Sequence, residues 1–210
     1  MRVIILGAGG HAQVVADILW RMADAGADIA PVAYLDDNPA LKGQAFLGVP
    51  VLGGTAVLPT VPHDAVIIAI GNNAVRQRLY ETLQAAGEQF VIARHPTAVI
   101  APDVQIGPSC MICANVVINT GSIIGANVIL NTSCTVDHHN QIEDHVHIAP
   151  GAHLGGNVYI GEGTLVGIGA TVMPQRQVGA CSQIGAGAVV VHNLAAGITA
   201  VGIPAKPISK

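Results

Sequence analysis

Aromatic side chains are scarce in this chain: one Trp, three Tyr and two Phe among 210 residues. Charge is scarce as well, with 10% Asp, Glu, Lys and Arg against 51% hydrophobic residues. So few rings suit a narrow interior filled by aliphatic side chains. Nine Lys and Arg and a net charge of −4 offer no basic field for nucleic acid or an anionic membrane. No apolar run reaches the roughly 18 residues of a membrane-spanning helix. The amino terminus has one Arg and a short apolar run ending in Gly7-Ala8-Gly9-Gly10. With no h-region and cleavage site, that run reads as a buried strand, and a cytoplasmic location is expected. The four cysteines are expected to be reduced thiols. Cys110-Met-Ile-Cys113 matches C-x-x-C, which can signal redox chemistry or half a zinc site. It falls inside a repeat that puts Cys110 and Cys134 at inward small positions, and no second pair follows at zinc-ribbon spacing. Core filling is the better reading.

What the chain has in abundance is a period of six. From Ile100 the series Ile106, Ile112, Ile118, Ile124, Leu130, Val136, Ile142 and Ile148 continues through Leu154, Ile160, Val166, Val172, Val178, Ile184 and Val190. Two residues before each anchor the side chain is mostly small, and one residue after it Gly or Asn is frequent. Neither a helix nor a hairpin sheet has this period. It is the hexapeptide signature of a parallel β-helix, in which three hexads make a triangular coil of eighteen residues. Coils then stack at about 4.8 Å, giving a prism of a little over five coils, roughly 25 Å tall. Residues 96–210 form this domain with a C-terminal cap.

Residues 1–95 lack the period. Arg2–Leu6 reads as a strand, followed by the glycine loop and a helix near Gln13–Ala25. Val32–Leu35 is a second strand ending at Asp36-Asp37, and Ala65–Ile70 a third. Gly71-Asn72-Asn73 then opens a helix to about Ala86, and Phe90–Ala93 reads as a fourth strand. Strands alternating with helices predict a parallel α/β sheet, half of a Rossmann-like fold. Gly7, Gly9 and Ala12 fit G-x-G-x-x-G/A, whose glycines let backbone approach a phosphate at a helix N-terminus, with Asp36 or Asp37 placed for ribose or base. About 95 residues hold only one mononucleotide-binding half, which favours a nucleotide-sugar or similar ligand over NAD.

Five of the nine histidines crowd into Thr132–His153: His138, His139, His145, His147 and His153. Side chains stack in a column only at spacings of eighteen, and no two of these differ by eighteen. A metal site would therefore have to lie between subunits, and none is expected. The other reading is a general base near neutral pKa. Exposed turns that tolerate histidine account for His145 and His153.

The whole chain resembles the sugar-nucleotide N-acetyltransferases of the left-handed β-helix class, with the related sialic acid O-acetyltransferases. The resemblance rests on Gly7-Ala8-Gly9-Gly10-His11, Leu35-Asp36-Asp37, Ala69-Ile70-Gly71-Asn72-Asn73, Asn131-Thr132-Ser133, Val136-Asp137-His138, His147-Ile148-Ala149-Pro150-Gly151 and Gly202-Ile203-Pro204-Ala205-Lys206. It implies a homotrimer of left-handed prisms, a UDP- or GDP-linked amino sugar on the N-terminal domain, and acetyl-CoA between neighbouring prisms. By position it makes His138 the base, with His139 and Asp137 beside it. Gly9, Gly10, His11, Asp36, Asp37, Asn72 and Asn131 fall on the sugar-nucleotide side. His147, Gly156, Ile168 and Ala186 fall along the acetyl-CoA cleft. One departure stands out: the family follows its catalytic histidine with Glu or Asp, and this chain has His139. The resemblance implies direct acetyl transfer to the amine of a nucleotide-linked 4-amino-4,6-dideoxy sugar. Sugar O-acetylation, an inter-subunit zinc lyase of the carbonic anhydrase type and a non-catalytic nucleotide sensor are the alternatives.

Overall fold

The computed structural model describes residues 1–208 and divides into two compact units, Met1–Pro96 and Thr97 onward. In the first unit, β1 (Arg2–Leu6), β2 (Ala30–Leu35), β4 (Val49–Gly53) and β5 (Ala65–Ile68) run parallel, and β3 (Ala45–Phe46) pairs antiparallel with β4. The sheet order is β3-β4-β2-β1-β5. Val3, Ile4, Ile5, Leu6, Val66, Ile67 and Ile68 are fully buried, as the continuous apolar runs of a two-sided parallel sheet require.

Helix α1 (Gly10–Asp24) turns Ala12, Val15, Ala16, Ile18 and Leu19 inward, a spacing of three and four. It starts three residues earlier than the expected Gln13, since Gly9 already takes the N-cap position. Helix α2 (Asn73–Ala85) is capped by Asn72, whose side chain accepts from Val75 N at 3.0 Å.

Three expectations need correction. The β3–β4 hairpin was not anticipated, because its signals are weak. Its turn runs through Leu47 and Gly48, both at positive φ, and Leu is an unusual residue there. The third strand ends at Ile68, since the carbonyl of Ile70 turns away to accept from Arg76. The expected strand Phe90–Ala93 is an isolated bridge from Phe90 to Val66, and a two-residue strand lies one step later at Ala93–Arg94.

A half-buried electrostatic clamp closes this unit. His63 Nδ1 meets the Val61 carbonyl at 2.6 Å and Nε2 meets Glu88 Oε2 at 2.9 Å. Two acceptors on opposite ring nitrogens are satisfied together only by the imidazolium. Burial alone would lower the pKa, but the Val61 carbonyl and then Glu88 outweigh it, and the net shift is upward. A folded-state value above the unfolded one gives stability that is fully present below about pH 6.5 and lost as pH rises through the folded value. Thermal melts of the wild type should therefore lose about 2–4 °C across that window. In Glu88→Gln the loss should shrink, and an equal pH dependence in the variant would remove the clamp from the account.

The second unit is a parallel β-helix. Two-residue strands repeat every six residues and pair in parallel with strands eighteen residues away: Val99–Ile100 with Val117–Ile118, then Thr135–Val136, His153–Leu154, Thr171–Val172 and Val189–Val190. The other two faces are built likewise, from Gln105–Ile106 and from Met111–Ile112 upward. The anchors point into the prism, and Ile112, Leu130, Val136, Ile148, Ile160, Val166, Val172, Val178 and Val190 are fully buried. Each contributes about 1.5–3 kcal/mol of transfer free energy. Cys110, Cys113 and Cys134 are buried too, and burial pushes the Cys113 thiol up to about 12, so these sulfurs are packing groups.

Each coil turns at a residue three places after the anchor. Ser109, Asn115, Asn127, Ser133, His139, His145, Asn157, Gln175 and Cys181 there have positive φ, as do Gly121, Gly151, Gly163, Gly169 and Gly187. Asn and His tolerate this conformation better than most side chains. Thr199–Val201 adds in parallel to Gln183–Ile184, and Lys206–Ile208 folds back on it, with Gly202-Ile203-Pro204-Ala205 as the turn. Among the described residues no helix is long and apolar enough to cross a membrane.

Candidate active site

In the N-terminal unit a cavity of about 470 Å³ is lined by Gly7, Asp36, Asp37, Thr55, Ile70 and Arg78, among others. It lies beyond the carboxyl ends of β1 and β2, where parallel sheets bind ligands. Asp36 spends both carboxylate oxygens on backbone: Oδ2 accepts from Ala8 N at 2.8 Å and Oδ1 from Asn38 N at 2.9 Å. It therefore braces the glycine loop. Asp37 Oδ1 accepts from Thr55 N at 2.7 Å and from its hydroxyl at 3.1 Å. Gly9 and Gly10 are exposed at the start of α1, and a methyl group on either would meet nothing within 4 Å. Burial, then the Arg76 charge, lowers the His11 pKa from 6.5 to about 4, so this ring is neutral at ordinary pH. Of the expected nucleotide contacts, Asp36 and Asp37 line the cavity, whereas Asn72 uses its side-chain oxygen to cap α2.

In the prism the turn Asp137-His138-His139-Asn140 is held at several points. Asp137 Oδ1 accepts from His138 N at 2.8 Å and from Asn119 Nδ2 at 2.9 Å. These bonds, the Asn119 amide first, hold its carboxyl below the usual range. The Asp137 carbonyl accepts from the Ser122 hydroxyl at 2.8 Å and from Asn140 Nδ2 at 2.6 Å. Asp137 thus fixes the turn, and the ring of His138 is met by another group. His138 Nδ1 lies 3.1 Å from His139 Nδ1, the rings edge to face at 79°. The opposite edge of His138 faces Gly156, eighteen residues on. A Cβ built there would stand 2.5 Å from His138 Nε2.

Register sorts the remaining residues. Asn131 Nδ2 and His147 Nε2 are 3.2 Å apart, so one expected sugar contact and one expected cofactor contact form a pair. Ile168, 61% exposed, and Ala186 stack in one column, joined by Gly187 N donating to Ile168 O at 2.8 Å. Gly156 stacks on His138 in a different column. His145 is buried against Asn127, 2.9 Å from its amide, and His153 meets the Thr135 hydroxyl, so both belong to coil stacking. Among the described residues no group of three or more His, Cys, Asp or Glu is arranged to hold a metal. Asn119, Ser122 and Asn140 were not picked out in the sequence. The signal that finds them is the eighteen-residue step: 119 to 137 and 122 to 140.

Comparison with known proteins gives concordant matches. Residues 2–83 match the PglD N-terminal domain family, and residues 97–132 match the bacterial transferase hexapeptide (six repeats) family. A mutant of perosamine N-acetyltransferase from Caulobacter crescentus, solved with CoA and GDP-perosamine, is 37% identical, with a TM-score of 0.92 over 99% of this chain and 97% of that one. The acetyltransferase domain of PglB from Neisseria gonorrhoeae is also 37% identical, with a TM-score of 0.91 over 99% of each chain. The curated UDP-N-acetylbacillosamine N-acetyltransferase of Bacillus subtilis is 37% identical over 107 residues, 50% of this chain and 48% of that protein. That match spans about half the curated relative's length.

Proposed function

Since the chain belongs to the hexapeptide-repeat, left-handed β-helix sugar-nucleotide N-acetyltransferases, we propose that it transfers acetyl from acetyl-CoA to the amine of a nucleotide-linked 4-amino-4,6-dideoxy sugar. The observation that carries the reading is His138, with one ring nitrogen occupied by His139 and the other edge turned to the backbone of Gly156. That is the geometry of an oriented base whose free edge lies against the backbone of the next coil.

In the proposed reaction the sugar amine attacks the thioester carbon. His138 Nε2 takes the amine proton as the C–N bond forms, and the Gly156 N–H is assigned to hold the oxyanion. Collapse of the tetrahedral intermediate breaks the C–S bond, and the proton passes from His138 to the departing sulfur. An unprotonated amine is already a strong nucleophile, so no covalent acyl-enzyme is needed. The cysteines support this, since three are buried packing groups.

The nucleotide half of the substrate belongs to the cavity beside Asp36 and Asp37. Asn131 and His147 are assigned to the sugar and to acetyl-CoA. Gly156 and the Ile168–Ala186 column lie on different edges of the triangle, and a homotrimer would set one prism's His138 edge against its neighbour's Ile168 edge. Both substrates are soluble metabolites, and the reaction is proposed for the cytoplasm.

The experiment is to supply acetyl-CoA with a panel of UDP- and GDP-4-amino-4,6-dideoxy sugars and follow free CoA with a thiol reagent. Release that depends on one sugar, with product mass increased by one acetyl group on nitrogen, is the expected result and names the base and the sugar. Release with a hydroxyl acceptor and none with any amine would replace N-acetylation by O-acetylation.

A further inference from the structure

We propose that Asp103, two coils from His139, supplies the carboxylate that position 139 lacks, and that it acts on His138 through His139. The proposal rests on the reading of His138 as the base.

Asp103, Gly121 and His139 fall at successive steps of eighteen, in one column of the prism. Gly121 has no side chain, and the ring of His139 lies over it: a Cβ there would be 2.7 Å from His139 Cδ2 and 2.9 Å from Nε2. Asp103 is fixed to the same glycine. Its Oδ2 accepts from Gly121 N at 2.9 Å and from the Thr120 hydroxyl at 2.7 Å. Those bonds, the hydroxyl first, hold the Asp103 carboxyl below its usual range. The Nε2 edge of His139 therefore points into the field of an anchored carboxylate.

The two facing Nδ1 atoms make that field consequential. At 3.1 Å one carries a proton and the other a lone pair. If His138 is to accept at Nε2, its own proton must sit on Nδ1, and His139 Nδ1 must be the acceptor. The proton of His139 is then on Nε2, the edge that faces Gly121 and Asp103. A negative charge there favours this tautomer. The reverse arrangement, with His139 Nδ1–H donating, would place the His138 proton on Nε2 and abolish the base. When His138 takes the amine proton it becomes an imidazolium, and the Nδ1–H bond to neutral His139 persists. Asp137 on the same turn and Asp103 are the charged groups whose fields reach the pair, while Asn119 and Thr120 beside them are neutral. Position 139 has φ 56°, and histidine is among the residues that tolerate it.

The test combines ring-nitrogen NMR with kinetics on the full chain. Protein labelled with 15N-histidine, with His138 and His139 assigned from single variants, should show neutral His138 protonated at Nδ1 and neutral His139 at Nε2. Neutral His138 protonated at Nε2 would overturn the proposal, whatever the substrate proves to be. In the acetyl-transfer assay Asp103→Asn should lower kcat about 5–10-fold, leave both KM values within twofold, and move the acid limb of the pH–rate profile downward. His139→Phe should lower kcat at least 30-fold. His139→Glu, which puts a carboxylate directly on His138, should restore most of the rate and remove the effect of Asp103→Asn. An equal cost of Asp103→Asn in the wild-type and His139→Glu backgrounds would make Asp103 a structural turn residue and overturn the proposal. Absence of transfer to any amine, with the expected spectra, would count against the assigned reaction and leave the chain of rings intact.

Discussion

Replacing His138 with alanine is expected to lower kcat by about 10²–10⁴-fold, the usual worth of a positioned general base. Two things make a large effect the expected one. The ring is exposed and takes no part in filling the prism, so its removal leaves the neighbouring coils paired through Asn157 N and the His138 carbonyl. Its backbone is held independently by Asp137 and Asn119, so the turn survives without the ring. The loss should therefore fall on kcat, with both KM values little changed and the melting temperature within a degree or two of wild type. A rise in pH should recover part of the rate, because the amine then deprotonates without an enzyme base. Sugar-dependent CoA release within tenfold of wild type would show that His138 is not the base.

The prism was legible because its core obeys one rule without interruption. An aliphatic anchor every sixth residue points to a coil of three faces, and the structure places those anchors inside. The turns were less legible. Their defining feature is a left-handed residue three places after each anchor, filled by Ser, Asn, Gly, His, Gln or Cys. No single residue type marks the position, so the more frequent Gly and Asn one place after the anchor drew attention instead. Functional contacts in this fold run along columns, and a local motif shows only one member of each. Val136-Asp137-His138 pointed to the proposed base, but Asn119 and Asp103 lie eighteen and thirty-four residues before Asp137 and belong to other turns. In the N-terminal unit Asp36 stood out for a ribose or base, whereas its carboxylate ties the glycine loop to the end of β2. The residue type suits either task, and a carboxylate that braces the loop also stays on the cavity wall.

A second large effect should come from a single added methyl group. Gly156→Ala is expected to lower kcat about 10²-fold or more while leaving the melting temperature nearly unchanged. The new Cβ would stand 2.5 Å from His138 Nε2 and 2.6 Å from Cε1, closer than van der Waals contact allows. What must move is the far end of an exposed side chain, so the fold loses little. The movement, however, takes the ring off its contact with His139 and shifts Nε2 away from the Gly156 backbone. A displacement near 1 Å at a reacting group costs on the order of 10²-fold. Gly167→Ala supplies the contrast. Its Cβ would meet the Ile184 carbonyl at 2.5 Å and Ala186 N at 2.8 Å, and these are backbone atoms of the next coil. Neither can swing aside, so the expected cost is about 1–3 kcal/mol of stability, read as a melting temperature lower by roughly 2–12 °C. Melting curves and steady-state kinetics on the two variants separate a glycine kept for the base from one kept for the stack. If Gly156→Ala instead melts far below wild type, the glycine serves the coil, and the close approach of His138 is incidental to it.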